Sequence, residues 1–246
     1  MFSARIPLFS VLGFRISIDL SWFLLAFLIV WTLSMGQFPS ALPGLSRTTY
    51  FIMGIIGALG LFASIILHEL AHAVVARGFG LPIGGITLFI FGGVAELQDE
   101  PKTPRAEFWV AIAGPISSVA IAGACWGAAS LAAGAGLREA DTVLRFLAII
   151  NTILALFNLV PAFPLDGGRI LRSILWWRNG DLKRSTRIAA YSGTAFGGLL
   201  MALGLVQLLT GNPIGGTWQI LIGFFLSGAA AHARQQVELK IGRAHV

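Results

Sequence analysis

Three ionisable residues stand together in the apolar stretch "ASIILHELAHAVVARGFG", residues 63–80. His68 and His72 are four residues apart, so on a helix both imidazoles project from one face and can share a metal ion. Zinc held by two histidines and a carboxylate keeps a fourth position open and lowers the pKa of a bound water to about 7. Glu69 lies one step around the same helix, where it can take the proton of that water as general base. The pattern predicts metal-assisted hydrolysis.

This stretch is also apolar enough to cross a membrane, so chance is a poor explanation for three ionisable residues there. An ionisable group at the centre of a membrane helix costs about 2.5 to 3.5 kcal/mol on insertion scales, and such groups usually serve a function. The alternative is that His68, Glu69 and His72 only form hydrogen bonds with neighbouring helices.

A third ligand has to come from elsewhere in the chain, and it has to be a carboxylate. His232 and His245 lie in the polar C-terminal tail, and the single cysteine, Cys125, lies in another apolar segment, where it also offers no disulfide. The acids within or near apolar segments are Asp19, Glu96, Glu107 and Asp166.

Asp166 is the best placed of these four acids, because the segment "NLVPAFPLDGGRIL" cannot be a regular helix throughout. Two prolines just before Asp166 break helical hydrogen bonding, and two glycines just after it permit tight turns. Freed backbone groups beside an acid suit a cavity that holds water or substrate. The alternative for Asp166 is an interfacial ion pair with Arg169 or Arg172, and Glu96 and Glu107 stay open as replacement ligands.

The composition defines a polytopic membrane protein. Of the 246 residues, 56% are hydrophobic and 11% charged, whereas a soluble domain carries about 25% charged residues. The net charge of +6 does not indicate nucleic-acid binding, because that requires a basic patch on a soluble face. Small residues recur in the apolar segments, as in "AIAGPISSVAIAGA", and are expected to serve helix packing rather than chemistry.

We expect an all-α fold of about six transmembrane helices. With the N-terminus in the cytoplasm, every Lys and Arg except Arg47, Arg138 and Arg145 falls on the cytoplasmic side, which favours cytoplasmic termini. No cleavage site follows a short apolar core near the N-terminus, so we expect the first span to be retained. The predicted spans are 20–36, 50–77, 106–134, 142–165, 188–210 and 217–231.

Residues 82–98, "PIGGITLFIFGGVAELQ", do not fit a crossing. The run is short, is interrupted by Gly92 and Gly93, and is rich in β-branched and aromatic residues, which favours extended pairing. It predicts a small re-entrant β element on the cytoplasmic side, close to the histidines. An interfacial apolar loop is the alternative.

Four motifs in this order resemble the site-2 protease family of intramembrane zinc metalloproteases: "HELAH", "FGGVAEL", "EFWVAIAGPISS" and "NLVPAFPLDGGRIL". The resemblance implies that one zinc ion is bound by His68, His72 and Asp166, and that Glu69 is the catalytic acid and base. It also implies that Asn158 positions the substrate or the oxyanion, and that the region around Gly92 and Gly93 lines substrate entry.

The function implied is cleavage of transmembrane segments of membrane-tethered regulators near the cytoplasmic face of a bacterial or archaeal cell membrane, with lipid as the surrounding partner. The gap between residues 78 and 105 is too short for a PDZ-like insert. We expect a protease domain at 1–235 and a cytoplasmic tail at 236–246. The subgroup without that insert often carries a regulatory domain after the last span, so the tail is either the start of such a domain or the end of a minimal chain. The alternative from another class is a metal-ion transporter that uses the same three ligands.

Overall fold

The structure is a computed structural model that describes residues 5–89, 92–97 and 101–243, with side chains described for 6–20, 22–87 and 101–235. Four strands and eight α-helices lie in these ranges, and a π-helical turn at Leu33–Gln37 joins α1 to α2. In chain order they are β1 Arg5–Val11, β2 Phe14–Asp19, α1 Ser21–Thr32, α2 Phe38–Ala41, α3 Arg47–Gly78, β3 Ile83–Phe89, β4 Gly92–Leu97, α4 Pro104–Gly134, α5 Arg138–Asn158, α6 Asp166–Asn179, α7 Leu182–Leu209 and α8 Pro213–Arg243.

Six helical stretches among the described residues are long and apolar enough to cross a membrane, which confirms the predicted polytopic membrane fold. The longest is α3 with 32 residues; it measures about 48 Å at 1.5 Å per residue, well above the roughly 30 Å of a hydrocarbon core. The six stretches are Trp22–Ala41, Arg47–Gly78, Pro104–Gly134, Arg138–Asn158, Leu182–Leu209 and Pro213–Gln235.

The predicted fourth span, 142–165, is wrong at its C-terminal end. Helix α5 ends at Asn158, residues 159–165 are irregular, and α6 begins at Asp166. The physical reason is the pair Pro161 and Pro164, because proline has no N–H to donate and disfavours helical geometry in the residue before it.

The four strands form one sheet in the order β1-β2-β3-β4. β3 and β4 are antiparallel, which confirms the predicted β element within 83–89 and 92–97; residues 90, 91 and 98 lie outside the described residues. β2 and β3 are parallel. The hairpin of β1 and β2 was not predicted; it turns at Leu12 and Gly13, both with positive φ, as a two-residue hairpin loop requires.

The chain forms two compact units, and the first contains Met1–Glu100 and Ala113–Leu156. In this unit the sheet packs against the C-terminal half of α3, where Phe14 and Ile86 meet Leu70 and Ala73. The guanidinium of Arg77 donates to the carbonyl of Leu12 at 2.6 Å. The hairpin and the parallel strand thus hold the part of α3 that carries the histidines.

A second cluster of the first unit packs the other half of α3. It consists of large apolar and aromatic side chains, and Gly60 allows α5 to approach α3 until Leu147 fills the space beside it. The buried members are Leu33, Phe38, Tyr50, Met53, Val143 and Leu147.

The second unit contains Pro101–Ile112 and Phe157–Val246. Helices α7 and α8 approach closely through facing glycines: a Cβ on Gly204 would lie 2.7 Å from the carbonyl oxygen of Gly216, and a Cβ on Gly223 would lie 2.5 Å from that of Gly197. Small residues permit this backbone contact in lipid. The division into a protease domain at 1–235 and a tail stays a prediction.

Candidate metal centre

Helix α3 brings the two histidines onto one face. Its N-terminus is capped by Ser46, whose hydroxyl accepts a hydrogen bond from the Thr49 N–H at 3.1 Å. His68 and His72 are 4% and 5% exposed. Their Nε2 atoms lie 3.2 Å apart, with the ring planes inclined at 76°. The two imidazoles therefore lie on one face of α3 with their Nε2 atoms close together.

The other ring nitrogen of His68 has a protein partner. His68 Nδ1 lies 2.9 Å from the Oγ of Ser118 on α4, and Ser118 is fully buried. With the hydrogen on Nδ1 donated to Ser118, Nε2 carries the lone pair that a metal ion needs. A partner of this kind fixes the tautomer and the orientation of a metal-binding imidazole.

The space in front of the two imidazoles is kept open by Gly114. A Cβ at this position would lie 2.5 Å from His68 Nε2 and would also overlap His72 Nε2. The absence of a side chain at Gly114 therefore leaves room at the nitrogens that would bind a metal, and this half of the site fits one.

Glu69 is half-buried in α3, next to His68 in sequence. A carboxylate there is one step around the helix from the ligands, as the sequence predicts.

Asp166 is the first residue of α6 and is 8% exposed. The two glycines that follow it have no room for a side chain: a Cβ on Gly167 would lie 2.5 Å from the carbonyl carbon of Leu159, and one on Gly168 2.5 Å from that of Ala162. Residues 159–165 therefore fold back over the first turn of α6. Asn158, the last residue of α5, is half-buried at the other end of this segment.

Glu107 forms a buried ion pair with Arg172. It lies in the first turn of α4, fully buried, and its Oε1 accepts from the Arg172 Nε at 2.6 Å; the second guanidinium nitrogen contacts the same oxygen. The described contacts of the Arg172 guanidinium are with Glu107 and the Phe163 ring; the alternative of an ion pair between Asp166 and Arg169 or Arg172 stays a prediction.

His68, His72 and Asp166, all buried, form a group that could hold a metal ion, each offering one ligand atom. Two imidazoles and a carboxylate are a donor set suited to zinc. Of the other acids considered, Asp19 lies in β2 opposite Arg5, and the Glu96 side chain lies outside the described residues. Gly92 and Gly93 lie in β4, paired in register with Phe89 and Leu88.

The fold and these three residues define a polytopic membrane protein with a buried candidate metal centre. The chain belongs to peptidase family M50, whose sequence profile matches residues 56–140 and 127–203. The resemblance carried by the four sequence motifs is thereby confirmed, and nothing supports the transporter alternative.

Several relatives are similar over nearly the whole chain. The putative zinc metalloprotease Rip3 of Mycobacterium tuberculosis is 40% identical over 94% of this chain, and the putative zinc metalloprotease sll0528 of Synechocystis is 41% identical over 94%. The chain spans 59% and 60% of their lengths. The solved site-2 protease from Methanocaldococcus jannaschii is 28% identical with a TM-score of 0.61, over 94% of this chain and 95% of that one.

Sequence reasoning missed Gly114 and Ser118, the residues that shape the histidine half of the site. Both lie in "AGPISS", which the resemblance includes without assigning a role. A usable signal was their spacing, because residues four apart on a helix face one neighbour. A polar hydroxyl on that face is one candidate partner for an imidazole.

Proposed function

We propose that this chain is the catalytic domain of an intramembrane zinc endopeptidase, which cleaves transmembrane segments of membrane-tethered regulators near the cytoplasmic face. The observation that carries the proposal is the buried group of His68, His72 and Asp166 with Glu69 beside it in sequence. Membership of a peptidase family and the names of the similar zinc metalloproteases and site-2 protease support it.

One zinc ion per chain would be held by His68, His72 and Asp166. When bound, zinc supplies Lewis-acid chemistry, which polarises a carbonyl and acidifies water. Glu69 accepts a proton from the attacking water on one carboxylate oxygen and delivers it to the leaving amine. Asn158 donates an amide N–H to the oxyanion that develops on the scissile carbonyl.

The substrate has to be opened before it can be cut. An intact transmembrane helix engages its carbonyl groups in hydrogen bonds, so a local segment must unwind and find new partners. β4 is an outer strand of the described sheet, and strand addition there would satisfy the extended segment. Gly92 and Gly93 would admit a close backbone approach.

Both termini would face the cytoplasm, because that orientation places most Lys and Arg on the cytoplasmic side. The relatives come from bacteria and an archaeon, which supports a cell-membrane location and lipid contact along the apolar helices. Residues 1–235 would form the protease domain, and residues 236–246 a cytoplasmic tail.

The test uses the purified chain in detergent or liposomes, with a model single-span membrane protein as substrate. Wild type, Glu69→Gln and Asp166→Asn are compared for zinc per molecule and for cleavage. We expect Glu69→Gln to keep its zinc and lose cleavage, and Asp166→Asn to lose zinc. Undiminished cleavage by Glu69→Gln would refute the role of Glu69, and full zinc occupancy in Asp166→Asn would refute that of Asp166.

A further inference from the structure

The segment before Asp166 rests against helix α7. The Phe163 N–H donates to the carbonyl of Ala189 at 3.3 Å. The Ser192 hydroxyl, which has one hydrogen to donate, lies 2.7 Å from the carbonyl oxygen of Pro161 and 2.8 Å from that of Ala189 in its own helix. Two backbone groups of residues 159–165 are thus partnered by α7. In a membrane protein such partners are needed, because a carbonyl or N–H freed by proline finds no water in the hydrocarbon region.

Gly193 makes this contact sterically possible. A Cβ at Gly193 would overlap the carbonyl oxygen of Phe163 and would lie 2.9 Å from its carbonyl carbon and 3.0 Å from the Cβ of Ala230. The space is closed by the segment on one side and by α8 on the other. Any side chain at position 193 therefore has to push residues 159–165 away from α7.

A displacement of Phe163 would be passed on to Asp166 within a few residues. The Leu165 N–H donates to the carbonyl of Ala162 at 2.9 Å, and the Gly168 N–H donates to the carbonyl of Leu165 at 3.0 Å. Gly168 also packs directly against the Ala162–Phe163 peptide, so this peptide and the first turn of α6 have no free space between them. The backbone of Asp166 is therefore fixed by where α7 holds Phe163.

The opposite side of the segment is held independently. The Arg172 guanidinium lies over the Phe163 ring, 5.6 Å from its centroid, and is itself anchored by Glu107. Phe163 is thus held between α7 and an ion-paired arginine of α6. If the contact with α7 is altered, the contact with Arg172 still holds the segment. Changes at α7 should therefore shift Asp166 without unfolding α6.

We propose that Gly193 and Ser192 are positioning residues for the candidate metal ligand Asp166: α7 sets the place of its carboxylate through the backbone of Pro161 and Phe163. The inference rests on the proposed function, since it requires Asp166 to bind zinc. Neither residue belongs to the candidate ligand group of His68, His72 and Asp166, and we expect them to affect zinc affinity beyond any loss of fold stability.

Helix α7 provides a matched control, because Gly198 has no neighbouring atom within 4 Å of an added Cβ. The variants Gly193→Ala, Gly198→Ala, Ser192→Ala and Ser192→Thr are purified in detergent. Zinc affinity is measured by competition with a chromophoric chelator, and the melting temperature is measured without zinc and with saturating zinc. The zinc-induced rise in melting temperature is the readout that a merely structural change would leave intact.

We expect Gly193→Ala to bind zinc about 10-fold to 100-fold more weakly, the range for groups that orient metal ligands. The added methyl also overpacks the contact with Phe163 and lowers the zinc-free melting temperature, so the decisive readout is a smaller zinc-induced rise than in wild type. Ser192→Ala should show a smaller loss that Ser192→Thr, which keeps the hydroxyl, restores. Gly198→Ala should match wild type. If Gly193→Ala is too unstable to purify, the zinc affinities of Ser192→Ala and Ser192→Thr test the proposal.

Two failures can be told apart with Asp166→Asn in the same series. Wild-type zinc affinity in both Gly193→Ala and Ser192→Ala, while Asp166→Asn loses zinc, would overturn this inference and leave the proposed function standing. Equal losses in Gly193→Ala and Gly198→Ala would also overturn it. Unchanged zinc binding in Asp166→Asn would instead overturn the proposed function.

Discussion

His68 Nδ1 lies 2.9 Å from the Oγ of Ser118, fifty residues further along the chain on α4. The contact turns the imidazole so that its other nitrogen faces His72 Nε2. A histidine on a helix can rotate about its side-chain bonds, so HELAH alone does not fix where the nitrogens point. In this chain α4 supplies that orientation, through one hydroxyl and one glycine.

Removal of the Ser118 hydroxyl should weaken zinc binding. We expect Ser118→Ala to reduce zinc affinity about 10-fold to 100-fold, as is usual when the hydrogen-bond partner of a ligand is lost. Competition with a chelator measures this directly. The control is Ser117→Ala, because the neighbouring hydroxyl instead contacts the carbonyl of Leu67 at 3.4 Å. Equal zinc affinity in the two variants would contradict an orienting role for Ser118.

Gly114→Ala should abolish zinc binding by filling the space at the ligand atoms. The added methyl would lie 2.5 Å from His68 Nε2, too close for the imidazole and a metal ion to keep their positions. Zinc content after dialysis against a zinc buffer is the measurement. Gly123→Ala on the same helix, with nothing within 4 Å of the new methyl, should bind zinc normally. A zinc-loaded Gly114→Ala would rule out this space as the metal position.

The sequence was sufficient to place the two histidines on one helix face, and it singled out Asp166, which lies in the group that could hold a metal ion. The helical period places residues four apart on one face whatever the packing around them. The prolines before Asp166 and the glycines after it predict an interrupted helix. The sequence could not predict the ion pair of Glu107 and Arg172. These residues are 65 positions apart, and the contact between their helices depends on the whole fold. Gly114 is one of 30 glycines, and nothing local separates it from those that serve packing.

The N-terminal hairpin was missed for a different reason. The apolar residues Phe14, Ile16 and Ile18 alternate with polar residues along β2, which is the period of a strand, although most residues of this strand are buried. The apolar residues on either side obscure this alternation, and the first membrane helix begins directly after it. The two-residue turn at Leu12 and Gly13 is a weak signal without an Asn or Asp.

Helices α7 and α8 should lose stability when a glycine between them is filled. In Gly204→Ala the new methyl would lie 2.7 Å from the carbonyl oxygen of Gly216 and 2.8 Å from Ile220 Cγ1. Overpacking of this kind costs about 1–3 kcal/mol. Unfolding in mixed micelles with increasing SDS measures the loss. Gly198→Ala is the control and should not destabilise the protein; a wild-type unfolding curve for Gly204→Ala would mean that the helices can separate without cost.

The buried pair of Glu107 and Arg172 should behave as a coupled unit. Its carboxylate is fully buried, so Glu107→Gln leaves a buried guanidinium without its counter-charge, at a cost of about 3–5 kcal/mol. The double variant Glu107→Leu with Arg172→Met removes both charges and should recover most of that loss. A double-mutant cycle by SDS unfolding measures the coupling.

The exposed pair Asp141 and Arg145 on α5, 2.7 Å apart, provides the comparison for this cycle. Asp141→Asn should cost no more than about 1 kcal/mol, because water screens the charges. If the Glu107 and Arg172 variants were strictly additive, or as mild as Asp141→Asn, the pair would not anchor Phe163. Gly193 and Ser192 would then be the remaining contacts that hold the segment before Asp166, and their removal should cause a correspondingly larger loss of zinc affinity.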